Sequence, residues 1–196
     1  MEFKNCFDNI VKEFSTGKYG TQIQKAKQEF FSLSGTVYED SREYVDRINL
    51  FLDWYVFDRN LDEEDLTPLK MYIFVHDKNI DKEQKDLLQG MDTSVSSLFI
   101  VKELRRDSVK VKDMFTGIKY EVHDDYFLSF VHKGDIFQGR IINIGRKKIF
   151  GVGFCFHYPE AESYIKGEIK KIRNMERSYH LDLMMRLALM KVKTVE

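Results

Sequence analysis

The apolar pattern of this chain changes period near residue 95, and that change limits what it can fold into. Before it, apolar residues recur at steps of three and four. In EFKNCFDNIVKEF, Phe3, Phe7, Ile10, Val11 and Phe14 share one helical face. After it, short stretches such as SSLFIVKEL, SVKVKDMF, FLSFVHKGD and IFQGRIINIG alternate or run β-branched and aromatic, with turn residues at Arg106-Asp107, Thr116-Gly117, Gly134-Asp135 and Gly145 between them. Past Pro159 the helical step returns, with Ile165, Ile169, Ile172, Tyr179, Leu183, Leu187 and Met190. Both periods within 196 residues predict an α+β fold. Residues 1–94 form a helical layer, 96–157 a small antiparallel β-sheet or SH3/OB-like barrel, and 160–193 a long C-terminal helix, or two helices meeting near Asn174. The chain is short, and its last turns are too apolar to stay wet. One domain over 1–196 is therefore expected, with the C-terminal helix docked on the N-terminal helices or on a second copy.

Local signals refine the helical part. Gly17 and Gly20 break the first helix, and Gly35 ends the second. Asp40 three residues before Glu43 reads as a capping box for the third. Thr67-Pro68 opens a fourth helix, and Asp81 caps a fifth that Gly90 stops. The third helix carries two apolar stripes, which predicts burial on two sides. Its segment FLDWYVFD sets Asp53 and Asp58 five residues apart, about 140° around a helix, too divergent for a carboxylate pair sharing one reacting centre. A structural role is expected: Asp53 on a backbone group or an arginine, Asp58 on Arg59 or Arg47, or as a cap.

Phe51, Asp53, Trp54, Tyr55, Phe57 and Asp58 are matched downstream by Val111, Asp113, Thr116, Gly117, Tyr120, Val122, the Gly134-Asp135 turn and Arg140. In this combination, residues 48–155 resemble a group of uncharacterised bacterial proteins. Some of that group end in a cysteine-rich zinc-binding tail similar to one associated with the SecA translocase. This chain carries no such tail, so the resemblance implies no metal function, and it implies no established activity.

The net charge of -1 gives no global reason to expect nucleic acid or membrane, but the charge is unevenly placed. Acids dominate from Glu39 to Asp65 and bases from Arg140 to Arg177, so the two regions are expected to attract within one chain or across a dimer. Cys6 and Cys155 form no disulfide framework or CxxC, the N-terminus is no secretory signal, and no run is long enough to span a bilayer. A reducing cytoplasmic location is the default.

Motifs for chemistry are absent or incomplete. GVGF, Gly151–Phe154, lacks the length of a phosphate loop, and its glycines mark a bulge or a close backbone approach. His123, Asp124 and Asp125, with His132 nearby, make the one compact metal-like group, the basis of an alternative reading as a metal-dependent hydrolase. Cys155 and His157 share a strand face as a half-site only. The favoured reading is a non-catalytic cytoplasmic binding or adaptor protein, with no cofactor, acting by surface recognition. Its expected contacts are the hairpin bearing Arg140, Arg146, Lys147 and Lys148, and the helix face bearing Lys170, Arg173 and Arg177. A protein partner is expected. Single-stranded nucleic acid is the alternative, since basic residues there neighbour Phe150, Phe154 and Phe156. A homodimer through the C-terminal helix is a further expectation.

Overall fold

The computed structural model describes residues 2–78 and 80–193. Five helices precede the first strand: α1 (Phe3–Phe14), α2 (Gly20–Ser34), α3 (Tyr44–Phe57), α4 (Pro68–His76) and α5 (Lys82–Asp92). Of the expected stripe of α1, Phe7, Ile10 and Phe14 are buried and Phe3 and Val11 half-buried, with Cys6 buried beside them. At the end of α2, Gly35 adopts φ 88°, and its N–H donates to the Phe31 carbonyl. The caps of α4 and α5 form as read: Thr67 Oγ1 accepts from the Lys70 N–H, and Asp81 Oδ1 from the Gln84 N–H.

Two expectations fail here for identifiable reasons. Asp40 does not cap α3, which begins only at Tyr44 with no side-chain cap. The α2–α3 link is held instead by buried Arg47, whose Nη2 donates to the carbonyls of Ser34 and Gly35. Gly90 does not stop α5, which continues to Asp92. A Cβ at Gly90 would lie 1.8 Å from the Asn143 carbonyl oxygen, so this glycine admits the backbone of a strand against the helix.

The sheet is antiparallel, with strands β1 (Val95–Leu104), β2 (Val109–Asp113), β3 (Lys119–Val122), β4 (Ile136–Ile144) and β5 (Lys147–Phe150) in the order β3-β2-β1-β4-β5. A short β6 (Cys155–His157) pairs with Ile136–Gln138 of β4, on the edge that β5 occupies further along. Between β5 and β6 the edge opens at Gly151–Phe154, where α3 presses in. A Cβ at Gly153 would lie 2.8 Å from Leu50 Cα, so the close-approach reading of these glycines holds. The sheet curls into a half-barrel. His123 N–H donates to the Lys148 carbonyl at 2.8 Å, bringing the end of β3 against β5. Inside the curl, Phe99, Val111, Phe137 and Phe150 pack around Phe127 of α6 (Asp125–Leu128), so FLSFVHKGD is not the strand its pattern predicts: Asp124 caps a short helix there, and Phe127 plugs the half-barrel.

The turns of the sheet are set by residues singled out above. Asp113 Oδ1 accepts from Ser97 Oγ and from the N–H groups of Phe115 and Thr116, and Gly117 supplies φ 79°. Asp135 Oδ2 accepts from the His132 N–H beside Gly134 at φ 98°.

The C-terminal segment is two helices, not one: α7 (Glu162–Ile172) and α8 (Arg177–Lys193), with the break where Asn174 marks it. Ile165, Ile169, Leu183, Met184 and Leu187 pack with Leu98 and Ile136 of the outer sheet face and Phe115 of the β2–β3 turn. Met185 and Ala188 join the helical core. Most of the apolar face expected as a dimer seam packs within the chain, while Tyr179 and Met190 stay exposed. Among the described residues no helix is long and apolar enough to cross a membrane.

Candidate binding sites

The acidic and basic regions meet inside the molecule, at Arg140. Its position on β4 points the side chain at α3, where it is 2 % exposed. Nε donates to Asp53 Oδ2 at 2.9 Å, Nη2 to Asp58 Oδ2, and Nη1 to Ser94 Oγ at 3.2 Å. The guanidinium also lies 4.1 Å from the Phe57 ring centroid. Asp58 takes a second cation, Arg177 Nη2, at 3.2 Å. The two carboxylates do reach one centre. Asp58 sits past the end of α3, at its C-cap, so the angular step of a helix does not govern it. Asp58 therefore engages neither Arg59, which binds Glu29 and Asp62, nor Arg47. Burial pushes the Asp53 carboxyl up to about 6, against the opposing pull of Arg140. This is a clasp between helical layer and sheet, its two carboxylates 8 % and 9 % exposed.

Beside it lies a concavity of about 690 Å³ at the junction of α1, α3 and the mouth of the half-barrel. Tyr126 and Phe130 stand exposed on α6 and the turn after it, at 75 % and 39 %. Their rings continue into the wall, Tyr126 to Phe130 at 5.2 Å and Phe130 to Phe156 at 5.8 Å, and Phe154 lies 6.3 Å from Phe156. Leu52, Asn49 and Asp46 of α3, Asp8 of α1 and Asp124 line the concavity as well. Lys4 and Lys191 also line it, Lys191 being paired with Glu43 at 3.1 Å. The result is an aromatic trough with a mostly acidic rim. Neither Tyr126 nor Phe130 was singled out by sequence. Their four-residue step across a short DDYFLSF segment was the available signal.

The sequence-selected residues are dispersed. Arg140 is in the clasp and presents nothing to a partner. Arg146 and Lys147 are exposed at the β4–β5 hairpin tip with Lys148 half-buried behind them, next to His123. Lys170 and Arg173 are exposed on α7 and just beyond it. That region flanks the Thr116-Gly117 turn, at the other end of the β2–β3 ladder from His123. Arg177 is half-exposed and spends its donors on Asp58 and the Ser96 carbonyl. These bases do not form one surface.

The metal-like group does not assemble. His123 Nδ1 faces the Asp107 carbonyl, Asp124 caps α6, and exposed His132 lies nearest Asp135. Among the described residues no group of three or more His, Cys, Asp or Glu side chains is placed to hold a metal ion, so His123, Asp124, Asp125 and His132 are not brought together as a ligand set. Cys155 and His157 do share a face, but Cys155 is buried with its thiol pushed up by burial, and His157 is pushed down to about 4 by burial and by Lys191.

A model of DUF7986, a family of unknown function, matches residues 7–183. This agrees with the resemblance to uncharacterised proteins. No curated protein and no solved structure matches the chain.

Proposed function

The chain belongs to the DUF7986 family, and we propose that it is a non-catalytic binding protein that recognises a protein partner through the aromatic trough. The observation that carries this reading is the exposed pair Tyr126 and Phe130 beside Phe154 and Phe156, lining with Asp8 and Asp46 one concavity large enough for a peptide segment. Exposed aromatic side chains are the anchors that protein interfaces favour. The acids on the rim select a segment carrying Lys or Arg beside an apolar anchor, and they repel the phosphates of a nucleic acid. A reducing cytoplasmic setting belongs to the same proposal, supported by two free cysteines, both buried.

The test is selection of a random peptide display library against the full chain. Enriched peptides should combine an apolar anchor with Lys or Arg. They should lose at least about tenfold in affinity, roughly 1.4 kcal/mol, with Tyr126→Ala or Phe130→Ala. Absence of saturable peptide binding, or affinity untouched by both substitutions, overturns the reading. Tight, salt-sensitive binding of a single-stranded oligonucleotide, lost in Lys147→Ala/Lys148→Ala, would put nucleic acid in the partner's place.

A further inference from the structure

A second concavity, of about 360 Å³, lies between α7 and the outer face of the sheet, and shares no residue with the trough. Lys102, Lys112, Lys166 and Arg173 line it, brought from β1, β2 and α7. Thr116 of the β2–β3 turn stands at its edge, and Ile100 and Met114 supply the apolar part of the lining. Each cation is placed by a local feature. Lys102 occupies the register skip between Val101 and Glu103, a bulge that re-aims a side chain. Lys166 and Arg173 are seven apart, two helical turns, and so share a face.

The charges there are not balanced. Lys112 stands directly opposite Lys119 in the β2–β3 ladder, an arrangement that costs stability. Two residues earlier, Lys110 on the same face is matched: it opposes Glu121 and lies 3.4 Å from Glu103. At the concavity the one ion pair is Lys166 to Glu162, at 2.5 Å. The Glu162 carboxyl is held below the usual range by the hydrogen bond from Lys166, by the Lys166 charge, and by the field of Lys102. Among the described residues no carboxylate lies within ion-pair distance of Lys102, Lys112, Lys119 or Arg173.

We propose that this concavity binds a diphosphate group, free or carried on a nucleoside. Lysine and arginine offer donors only, and phosphate oxygens offer acceptors only. One arginine fork satisfies a planar carboxylate. Cations spread over three elements instead fit an anion with acceptors on every side, and the volume is at the small end of ligand pockets. The Lys112–Lys119 repulsion is relieved when that anion binds. The site stands whether or not the trough takes a peptide.

The test titrates inorganic pyrophosphate, and separately a nucleoside diphosphate, into the full chain at constant ionic strength. Binding is read by calorimetry and by backbone amide shifts. The expected result is saturable one-site binding with shifts centred on Lys102, Lys112, Thr116 and Arg173. Affinity should fall at least about tenfold with Lys112→Ala or Arg173→Ala and stay unchanged with Lys110→Ala. Unliganded Lys119→Ala should melt no lower than wild type, and it too should weaken binding. Tighter binding of the nucleoside diphosphate assigns the group to a nucleotide, and equal affinity assigns it to the inorganic ion. Non-saturable binding, shifts spread over lysines across the whole surface, or wild-type affinity in a folded Lys112→Ala/Arg173→Ala variant overturns the proposal.

Discussion

Replacing Arg140 by methionine removes the cation of the clasp while keeping much of its volume. Two carboxylates are then left facing each other with their side chains 8 % and 9 % exposed, Asp58 keeping only Arg177 and Asp53 keeping no cation. Three guanidinium donors are lost, to Asp53, Asp58 and Ser94, together with the contact on Phe57. Each charge pair is worth about 4 kcal/mol at an effective dielectric of roughly 20, but desolvation already consumes most of that in the wild type. Removing one partner of a buried pair exposes the desolvation term and costs about 3–5 kcal/mol.

The loss should depend on pH in a definite direction. Asp53 is already raised to about 6 by burial, and without the arginine that opposes this it rises further. The folded variant therefore holds a proton that the unfolded chain has released. Its stability is fullest below the unfolded carboxylate value near 4 and is lost as pH rises through the folded value. Urea denaturation followed by circular dichroism should show the difference from wild type shrinking between about pH 8 and about pH 5. Adding Asp53→Asn to the Arg140→Met chain should return at least about 1 kcal/mol at the higher pH. A loss below about 1 kcal/mol at pH 8, or one equal at both ends, would refute the buried-charge account.

Gly90→Ala should cost about 3 kcal/mol or more, because the strand backbone at Asn143 cannot yield, whereas Gly167→Ala, in open space on α7, should gain about 0.5–1 kcal/mol; denaturation midpoints compare the two. Tyr55→Phe removes a 2.7 Å hydrogen bond to the Phe14 carbonyl and should lower stability by about 1–2 kcal/mol in the same assay. His157, lowered to about 4 by burial, leaves the folded state with fewer protons than the unfolded one between about 4 and 6.5. Its contribution is complete above 6.5 and is lost on acidification, opposite in sign to Asp53, so the His157→Leu chain should lose less stability than wild type between about pH 7 and about pH 5.

What the sequence made legible was whatever local spacing encodes. The stripe of α1, the change of period at residue 95, the caps at Thr67 and Asp81 and the hairpin turns all appear where read. What it hid depends on which distant backbone arrives. Gly90 looks like a stop until β4 is laid against it, and Asp53 is expected on a backbone group or an arginine without any sign that the arginine is Arg140, 87 residues away. The trough draws on α1, α3, α6, the loop before β6 and α8, so no single stretch announces it. The basic concavity was half visible: Arg173 was marked from its helix, but its companions Lys102 and Lys112 lay in strands whose facing sides only the register reveals.

The guanidinium at position 140 imposes a rule on substitution. A neutral residue there strands Asp53 and leaves Asp58 with Arg177 alone, and a neutral residue at 53 or 58 leaves a cation short of an acceptor, so single steps away from this trio are penalised from either side. Relatives that lack the arginine should lack both aspartates as well, having moved together to an apolar set of similar bulk. Positions 53, 58 and 140 should accordingly vary as one unit wherever this architecture is reused.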